Sequence, residues 1–199
     1  MVLDDGNIQL TSSDDGINVG GGNDGSGMDM STSSAGLLQI SGGTITVNAS
    51  GDGLDSNGSI AMTGGTVMVN GPTISNNGAL DYDGSFDISG GLIIAVGSSG
   101  MVQTSSDQSA QASSLMTYPT TQAAGLMVHL EDHNGKNIIS FLPANEYQSV
   151  FISSPELKKD SSYTLYSGGS STGSNEVGLY KNGEYKGGTK IVNLKWLLG

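Results

Sequence analysis

Aliphatic residues in the first half of the chain recur in segments that align on one another. Residues 7–18 align without a gap on residues 44–55, and residues 66–81 align again if residues 72–75 are treated as an insertion. Within each segment apolar and polar positions alternate, which is the two-residue period of a β-strand with one buried face. The aligned aliphatic columns are Ile8, Ile45, Val67 and Ile93; Leu10, Val47, Val69 and Ala95; and Ile17, Leu54 and Leu80.

Glycine pairs separate the strand-like pieces of each repeat. They occur at Gly42-Gly43, Gly64-Gly65 and Gly90-Gly91, where glycine supplies the backbone angles of a sharp corner. One repeat cannot bury its own apolar face, so we expect neighbouring repeats to stack around a shared interior. The pattern predicts an all-β fold, a right-handed parallel β-helix (a solenoid) of about four coils in residues 1–103, with the handedness taken from the general preference for right-handed crossovers.

The pattern changes after residue 103. Residues 104–118 are rich in Ser, Gln and Ala and predict a mobile loop. Residues 119–199 predict a β-rich segment that packs on the solenoid and caps it, with a hairpin turn at His133-Asn134-Gly135. A loop is also predicted at residues 20–27. Met1 lies in what looks like a turn of the repeat, so we expect that earlier coils are missing.

Charge is unevenly distributed and narrows the possible functions. The net charge is −12, and residues 1–100 carry Asp as their only charged residue type, while all 7 basic residues are lysines of the second half. A cationic face for nucleic acid or anionic membranes is therefore not expected. Cys is absent, and no apolar run reaches the roughly 18 residues of a membrane span. We expect a secreted or cell-surface protein, stabilised by metal rather than by disulfides.

The alignment also places acidic and amide residues in columns. Asn18, Asp55 and Asp81 share one column, and carboxylates on strands about 4.8 Å apart repel by roughly 1 kcal/mol in water. No Lys or Arg of this half offsets that repulsion, whereas a divalent cation would, and an all-oxygen ligand set favours Ca²⁺ over Mg²⁺. The predicted calcium ligands are Asp14, Asp15, Asn18, Asp52, Asp55, Asn57, Asn77, Asp81 and Asp83.

A simpler interpretation is that these residues only form turns. Turn chemistry accounts for Asn57-Gly58 and Asp83-Gly84. It does not explain why Asp55 and Asp81, which precede no glycine, fall in one column.

Several segments resemble a family of bacterial extracellular carbohydrate-binding domains. They are residues 14–18 (DDGIN), 40–49 (ISGGTITVNA), 51–58 (GDGLDSNG), 79–84 (ALDYDG) and 90–101 (GGLIIAVGSSGM). The resemblance implies a polysaccharide-lyase-like right-handed parallel β-helix that binds calcium and plant cell-wall polysaccharides such as cellulose and pectic polymers. It also implies that the Asp and Asn residues of the DDGIN, DGLDSNG and ALDYDG motifs are calcium ligands, and it places no sugar site.

Aromatic residues are the candidates for sugar contact. Tyr82 lies between Asp81 and Asp83, where a sugar carboxylate could complete the calcium coordination while the ring packs on the phenol. The alternative is that Tyr82 only shields the turn. Other candidates, equally suited to a C-terminal core, are Tyr180, Tyr185 and Trp196.

Catalysis is not expected. A β-helix lyase typically uses Lys or Arg as its base, and the predicted coils contain neither, so the base would come from Lys136, Lys158 or Lys159. A hydrolase could use paired carboxylates, but metal ligation would keep them ionised and leave no general acid. The sequence HLEDH at residues 129–133 has the order of neither zinc motif and predicts surface histidines.

The sequence therefore predicts a calcium-dependent, non-catalytic protein that binds cellulose or a uronic-acid polymer. The alternative is a calcium-stabilised subunit of a surface layer or filament, because an uncovered strand edge at the end of a solenoid can stack on another copy.

Overall fold

The protein is all-β, as predicted. The computed structural model describes residues 1–20 and 36–195; most of the predicted loop at 20–27, and Trp196, lie outside this part of the chain. The strands are β1 (Val2–Leu3), β2 (Asn7–Ser12), β3 (Ile17–Val19), β4 (Leu37–Ile40), β5 (Thr44–Ala49), β6 (Leu54–Ser56), β7 (Ser59–Met62), β8 (Thr66–Asn70), β9 (Leu80–Tyr82), β10 (Phe86–Ile88), β11 (Leu92–Gly97), β12 (Ser113–Gln122), β13 (Val128–Asp132), β14 (Asn137–Phe141), β15 (Tyr147–Ser153), β16 (Ser162–Ser167), β17 (Ser170–Ser171), β18 (Ser174–Glu176), β19 (Leu179–Lys181), β20 (Tyr185–Lys186) and β21 (Thr189–Lys195).

The strands of the described residues form five sheets. Their orders are β1-β4-β7-β10; β12-β15-β11-β8-β5-β2, here the central sheet; β3-β6-β9; β18-β19-β14-β13-β16-β21, here the outer sheet; and the pair β17-β20.

The predicted register of the aligned segments is confirmed. Ile8 pairs with Ile45, and Ile45 pairs with Val67, in parallel strands of the central sheet. The next strand continues the column, because Val67 pairs with Ile93. A period of two residues fixes this register, since a slip by one position would turn every aliphatic side chain to the opposite face.

The predicted fold class, a right-handed parallel β-helix flanked by C-terminal strands, is wrong. The described strands make separate sheets with mixed and antiparallel pairing. In the central sheet β15 pairs antiparallel with both β11 and β12, and the described pairs of the outer sheet are antiparallel. A tight turn at residues 132–135 accounts for one of these pairs, β13 with β14, because strands joined by a hairpin can pair only in antiparallel fashion.

The corner glycines have the conformation that their position requires. Gly43, Gly65 and Gly91 have φ angles of 76°, 84° and 89°, a region that other residue types rarely adopt. A Cβ atom on Gly65 would also lie 2.6 Å from the carbonyl oxygen of Gly42 in the preceding layer. These glycines therefore allow successive layers to approach closely at the corner.

The central sheet is buried on both faces. Val67 and Val69 of β8 point into a core between the first three sheets, together with fully buried Phe86. Met68 of the same strand packs on the other side, in a second core with residues of the outer sheet such as Leu130. The two cores therefore share one sheet.

Residues 103–111 cover one edge of the layers. The backbone amide of Phe86 donates to Ser106 Oγ, and the Phe86 carbonyl accepts from the backbone amide of Ser106. The backbone amide of Ile88 donates to Ser109 Oγ at 3.0 Å. The backbone amide of Gln111 donates to the Ile88 carbonyl. The predicted mobility of residues 104–118, and the predicted domain boundaries, stay predictions.

Over residues 1–20 and 36–195 no helix is long and apolar enough to cross a membrane.

Candidate functional site

The column that contains Asn18, Asp55 and Asp81 is continuous in the structure. Asn18 pairs with Asp55, and Asp55 pairs with Asp81, across the parallel strands β3, β6 and β9. The alternation of each strand buries Ile17, or its equivalent leucine, and turns the polar neighbour outward. The three side chains therefore stand on one surface at the spacing of adjacent strands, about 4.8 Å.

The carboxylates of this surface disfavour one another's ionised form. Burial, followed by the charges of Asp15 and Asp81, raises the pKa of Asp55 to about 6. Burial raises the pKa of Asp52 as well, with further contributions from Asp81 and Asp15. The pKa of Asp81 is raised by burial and then by Asp83. The surface is therefore an electrostatically strained cluster at neutral pH.

Asp15 and Asp52 also have a structural role. Asp15 Oδ1 accepts a hydrogen bond from the amide of Asp52 at 2.9 Å, and Asp52 Oδ1 accepts one from the amide of Gly78 at 2.6 Å. Each carboxylate thus ties its turn to the turn of the next layer. Asn18 Nδ2 donates to Asp15 Oδ2 at 3.1 Å. The column that contains Asn18 is therefore in direct contact with the column that contains Asp15.

The remaining predicted ligands lie at the margins of the cluster. Asn57 and Asp83 are exposed and directly follow the adjacent strands β6 and β9. Their backbone amides continue the parallel hydrogen bonding of these strands, so the two residues lie side by side in successive repeats. Asp14 is bonded through its carbonyl to Gly51, which occupies the layer between Asp14 and Asn77. Asp14 and Asn77 are therefore two layers apart, roughly 10 Å, and are not brought together.

The donor chemistry of the cluster fits a hard divalent cation. Carboxylate and amide oxygens are the ligands that Ca²⁺ prefers, and the ion pairs of the described residues all lie between residues 129 and 186, away from the cluster. Among the residues that the structure describes, however, no three Asp, Glu, His or Cys side chains converge as a metal centre requires. An ion would need Asn18 or backbone carbonyls as further ligands, and the calcium ligands stay a prediction.

Tyr82 lies beside the cluster but is held by the covering segment. Its hydroxyl donates to the carbonyl of Thr104, and its amide donates to Gln103 Oε1 at 2.8 Å. Its ring meets Phe86 edge to face, with the ring centroids 6.1 Å apart. These contacts favour a shielding role, and the sugar contact of Tyr82 stays a prediction.

Comparison with known families decides the broad class of the protein. A family model described as "Carbohydrate-binding domain-containing protein" matches residues 1–129. The chain belongs to this family. The matched part of this carbohydrate-binding domain protein includes the cluster of aspartates, the corner glycines and the covering segment at residues 103–111. No curated protein and no solved structure matches the chain.

The sequence did not indicate a second polar cluster, on the outer sheet. His129 was predicted at the surface but is only 2% exposed. Its Nδ1 atom lies 2.8 Å from Ser140 Oγ, and its ring stacks on Tyr185. The alternation of His129 with Leu130 was the available signal, but it does not show that a distant strand would cover the imidazole.

Proposed function

We propose that this carbohydrate-binding domain protein is a non-catalytic polysaccharide-binding module of the cell exterior, and that it uses calcium. Membership of the family supports a carbohydrate partner. The single observation that carries the calcium proposal is the stacking of Asp55 on Asp81, with the pKa of Asp55 raised to about 6. A dication held by these carboxylates, with Asn18 and Asp15 beside them, would reverse the sign of their repulsion.

Cellulose and uronic-acid polymers are the proposed ligands. A uronate carboxylate can complete the coordination of a calcium ion. The sugar ring that carries it would then lie next to the side chain of Tyr82.

A binding role accounts for the positions of the lysines better than a lyase role does. Lys136 forms an ion pair with Glu156, and Lys158 Nζ donates to the carbonyl of Pro155 at 2.6 Å. Both are held by neighbours in the second half of the chain. Growth of a filament by end-to-end stacking is also less well supported, because residues 103–111 occupy the strand edge at one end of the layers.

A glycan array tests the proposal when it is run once with calcium and once with chelator. We expect retention on cellulose-type or pectic glycans that falls in chelator. The double variant Asp55→Asn/Asp81→Asn should lose the response to calcium, whereas the exposed Asp4→Asn change, with one charge removed elsewhere, should keep it. Equal retention with and without calcium would remove calcium from the proposal, and the absence of any retained glycan would contradict the binding role itself.

A further inference from the structure

The outer sheet has one apolar face and one polar face. Leu130 and Leu165 pair with each other and are buried in the second core. The neighbouring pair, Glu131 and Thr164, therefore points to the opposite face, and Thr164 pairs in turn with Asn193. This polar face is half-exposed at Glu131 and Thr164 and exposed at Asn193.

Four side chains form a row across this face: Asn137, Glu131, Thr164 and Asn193, here the outer row. Glu131 pairs with Asn137 on β14, so the row crosses β14, β13, β16 and β21. Thr164 Oγ1 donates to Asn193 Oδ1 at 3.1 Å, which confirms that the two side chains share a face. At the usual strand spacing the row is about 14 Å long, enough to contact more than one sugar ring.

Aromatic side chains stand beside the outer row. Tyr166 donates its hydroxyl to Glu131 Oε1 at 2.8 Å and lies across from His129 in the next row. Tyr185 stacks on His129 with ring centroids 3.7 Å apart and 14° between the planes. The Tyr185 hydroxyl is fixed by the carbonyl of Gly168 at 2.7 Å.

A glycine makes room for this aromatic group. A Cβ atom on Gly188 would lie 1.6 Å from the hydroxyl oxygen of Tyr185, so any other residue would displace the ring. Together with the buried hydrogen bond of His129, this fixes the position of the aromatic side chains before any ligand binds. Rigid aromatic rings next to polar side chains lose little conformational freedom on binding.

The chemistry of the outer row favours a neutral glycan. A carboxylate accepts hydrogen bonds from hydroxyl groups, and the amides of Asn137 and Asn193 both donate and accept. Glu131 lies in the middle of the row and would repel the carboxylate of a uronic acid. The nearby cation, Lys190, is paired in register with Tyr166 and therefore lies at the edge of the row, where it does not offset this repulsion. The family supplies the class of ligand, since carbohydrate is the partner that its description names.

We propose that the outer row and Tyr166 form a second glycan-binding surface, which takes neutral polysaccharide chains such as β-1,4-linked glucose polymers. The proposal rests on the proposed function in its carbohydrate partner, but it does not depend on calcium. All of this surface lies beyond residue 129, and therefore outside the part that the family model matches.

Calorimetric titration of the full chain tests the surface. The probes are a soluble glucose hexamer with β-1,4 linkages and a galacturonic acid hexamer, each with calcium and with chelator. The double variant Thr164→Ala/Asn193→Ala should weaken binding of the glucose hexamer roughly tenfold, because several hydrogen bonds are lost, while binding of the galacturonate hexamer changes less than twofold. Asn134→Ala, a change of the same kind in an exposed turn, is the control. Equal melting temperatures check the fold of each variant.

The outcomes separate this proposal from the proposed function. Wild-type binding of the glucose hexamer that is unchanged in the double variant overturns the surface and leaves the proposed function standing. Binding of the galacturonate hexamer alone, dependent on calcium, supports the proposed function and overturns the surface. Failure of the wild type to bind either hexamer overturns both. Where the double variant loses stability, the single change Asn193→Ala at an exposed position gives the same comparison.

Discussion

Removal of the Asp55 charge should stabilise the protein when calcium is withheld. The shift of the Asp55 pKa from 3.8 to about 6 corresponds to about 3 kcal/mol if about 1.4 kcal/mol is taken for each unit. The side chain is only half-buried, so solvent screening reduces this to about 1 kcal/mol. Asp55→Asn removes the repelled charge and keeps the shape, and the paired residue Asn18 shows that an amide fits this column.

The sign of the effect sets the pH dependence. A carboxyl group whose pKa is raised on folding contributes its full stability below the unfolded value, near 4, and loses it as the pH rises through the folded value, about 6 for Asp55. In chelator the wild type should therefore melt at a lower temperature at pH 7.5 than at pH 4.5. Asp55→Asn should melt about 2–4 °C above the wild type at pH 7.5, with little difference at pH 4.5.

Thermal unfolding followed by circular dichroism or calorimetry measures these effects, with chelator and with calcium. Calcium should raise the melting temperature of the wild type and raise that of Asp55→Asn less. Asp4→Asn is the control, since it removes one exposed charge outside the column. A lower melting temperature for Asp55→Asn in chelator at pH 7.5, or a wild type equally stable at pH 4.5 and 7.5, would refute the electrostatic account of the cluster.

Three further substitutions test other contacts. Asp52→Ala should destabilise the protein by about 1–2 kcal/mol, because the amide of Gly78 loses its acceptor, whereas Asp52→Asn should lose less; denaturant unfolding compares the two. Asn70→Ala should cost about 1–3 kcal/mol in the free energy of unfolding, because the amide of Ala144 loses its bond to Asn70 Oδ1; a loss below 0.5 kcal/mol would contradict this. Tyr82→Ala should weaken binding of the galacturonate hexamer if the ring contacts sugar, and an unchanged dissociation constant with a native fold would leave Tyr82 only its shielding role.

The first half of the chain was predictable because local patterns and long-range pairing agree. Ile8, Ile45 and Val67 fall in one column of the sequence and in one ladder of the structure. A parallel register between similar segments needs only an alignment of the segments. The stacking of Asn18 on Asp55 followed from the same alignment.

The second half was less predictable because it contains no repeat. The hairpin turn at residues 133–135 was expected from the sequence, and it joins the strands β13 and β14. Their neighbours in the outer sheet come from residues 162–167 and 179–181, and no sequence pattern specifies those pairings. Tyr185, far along the chain, covers His129 and also supplies one of the aromatic rings beside the outer row. Neither contact is indicated by the residues around His129.

The two-sided burial of the central sheet has a practical consequence for protein expression. A fragment that ended where the family match ends, at residue 129, would keep the aspartate cluster but lose β15 and most of the outer sheet. Met68, Ile94 and Val96, which have no solvent exposure in the intact chain, would then face water, and β11 would lose its antiparallel neighbour. We therefore expect truncation at the homology boundary to yield insoluble material, and a soluble product to require the chain through β21.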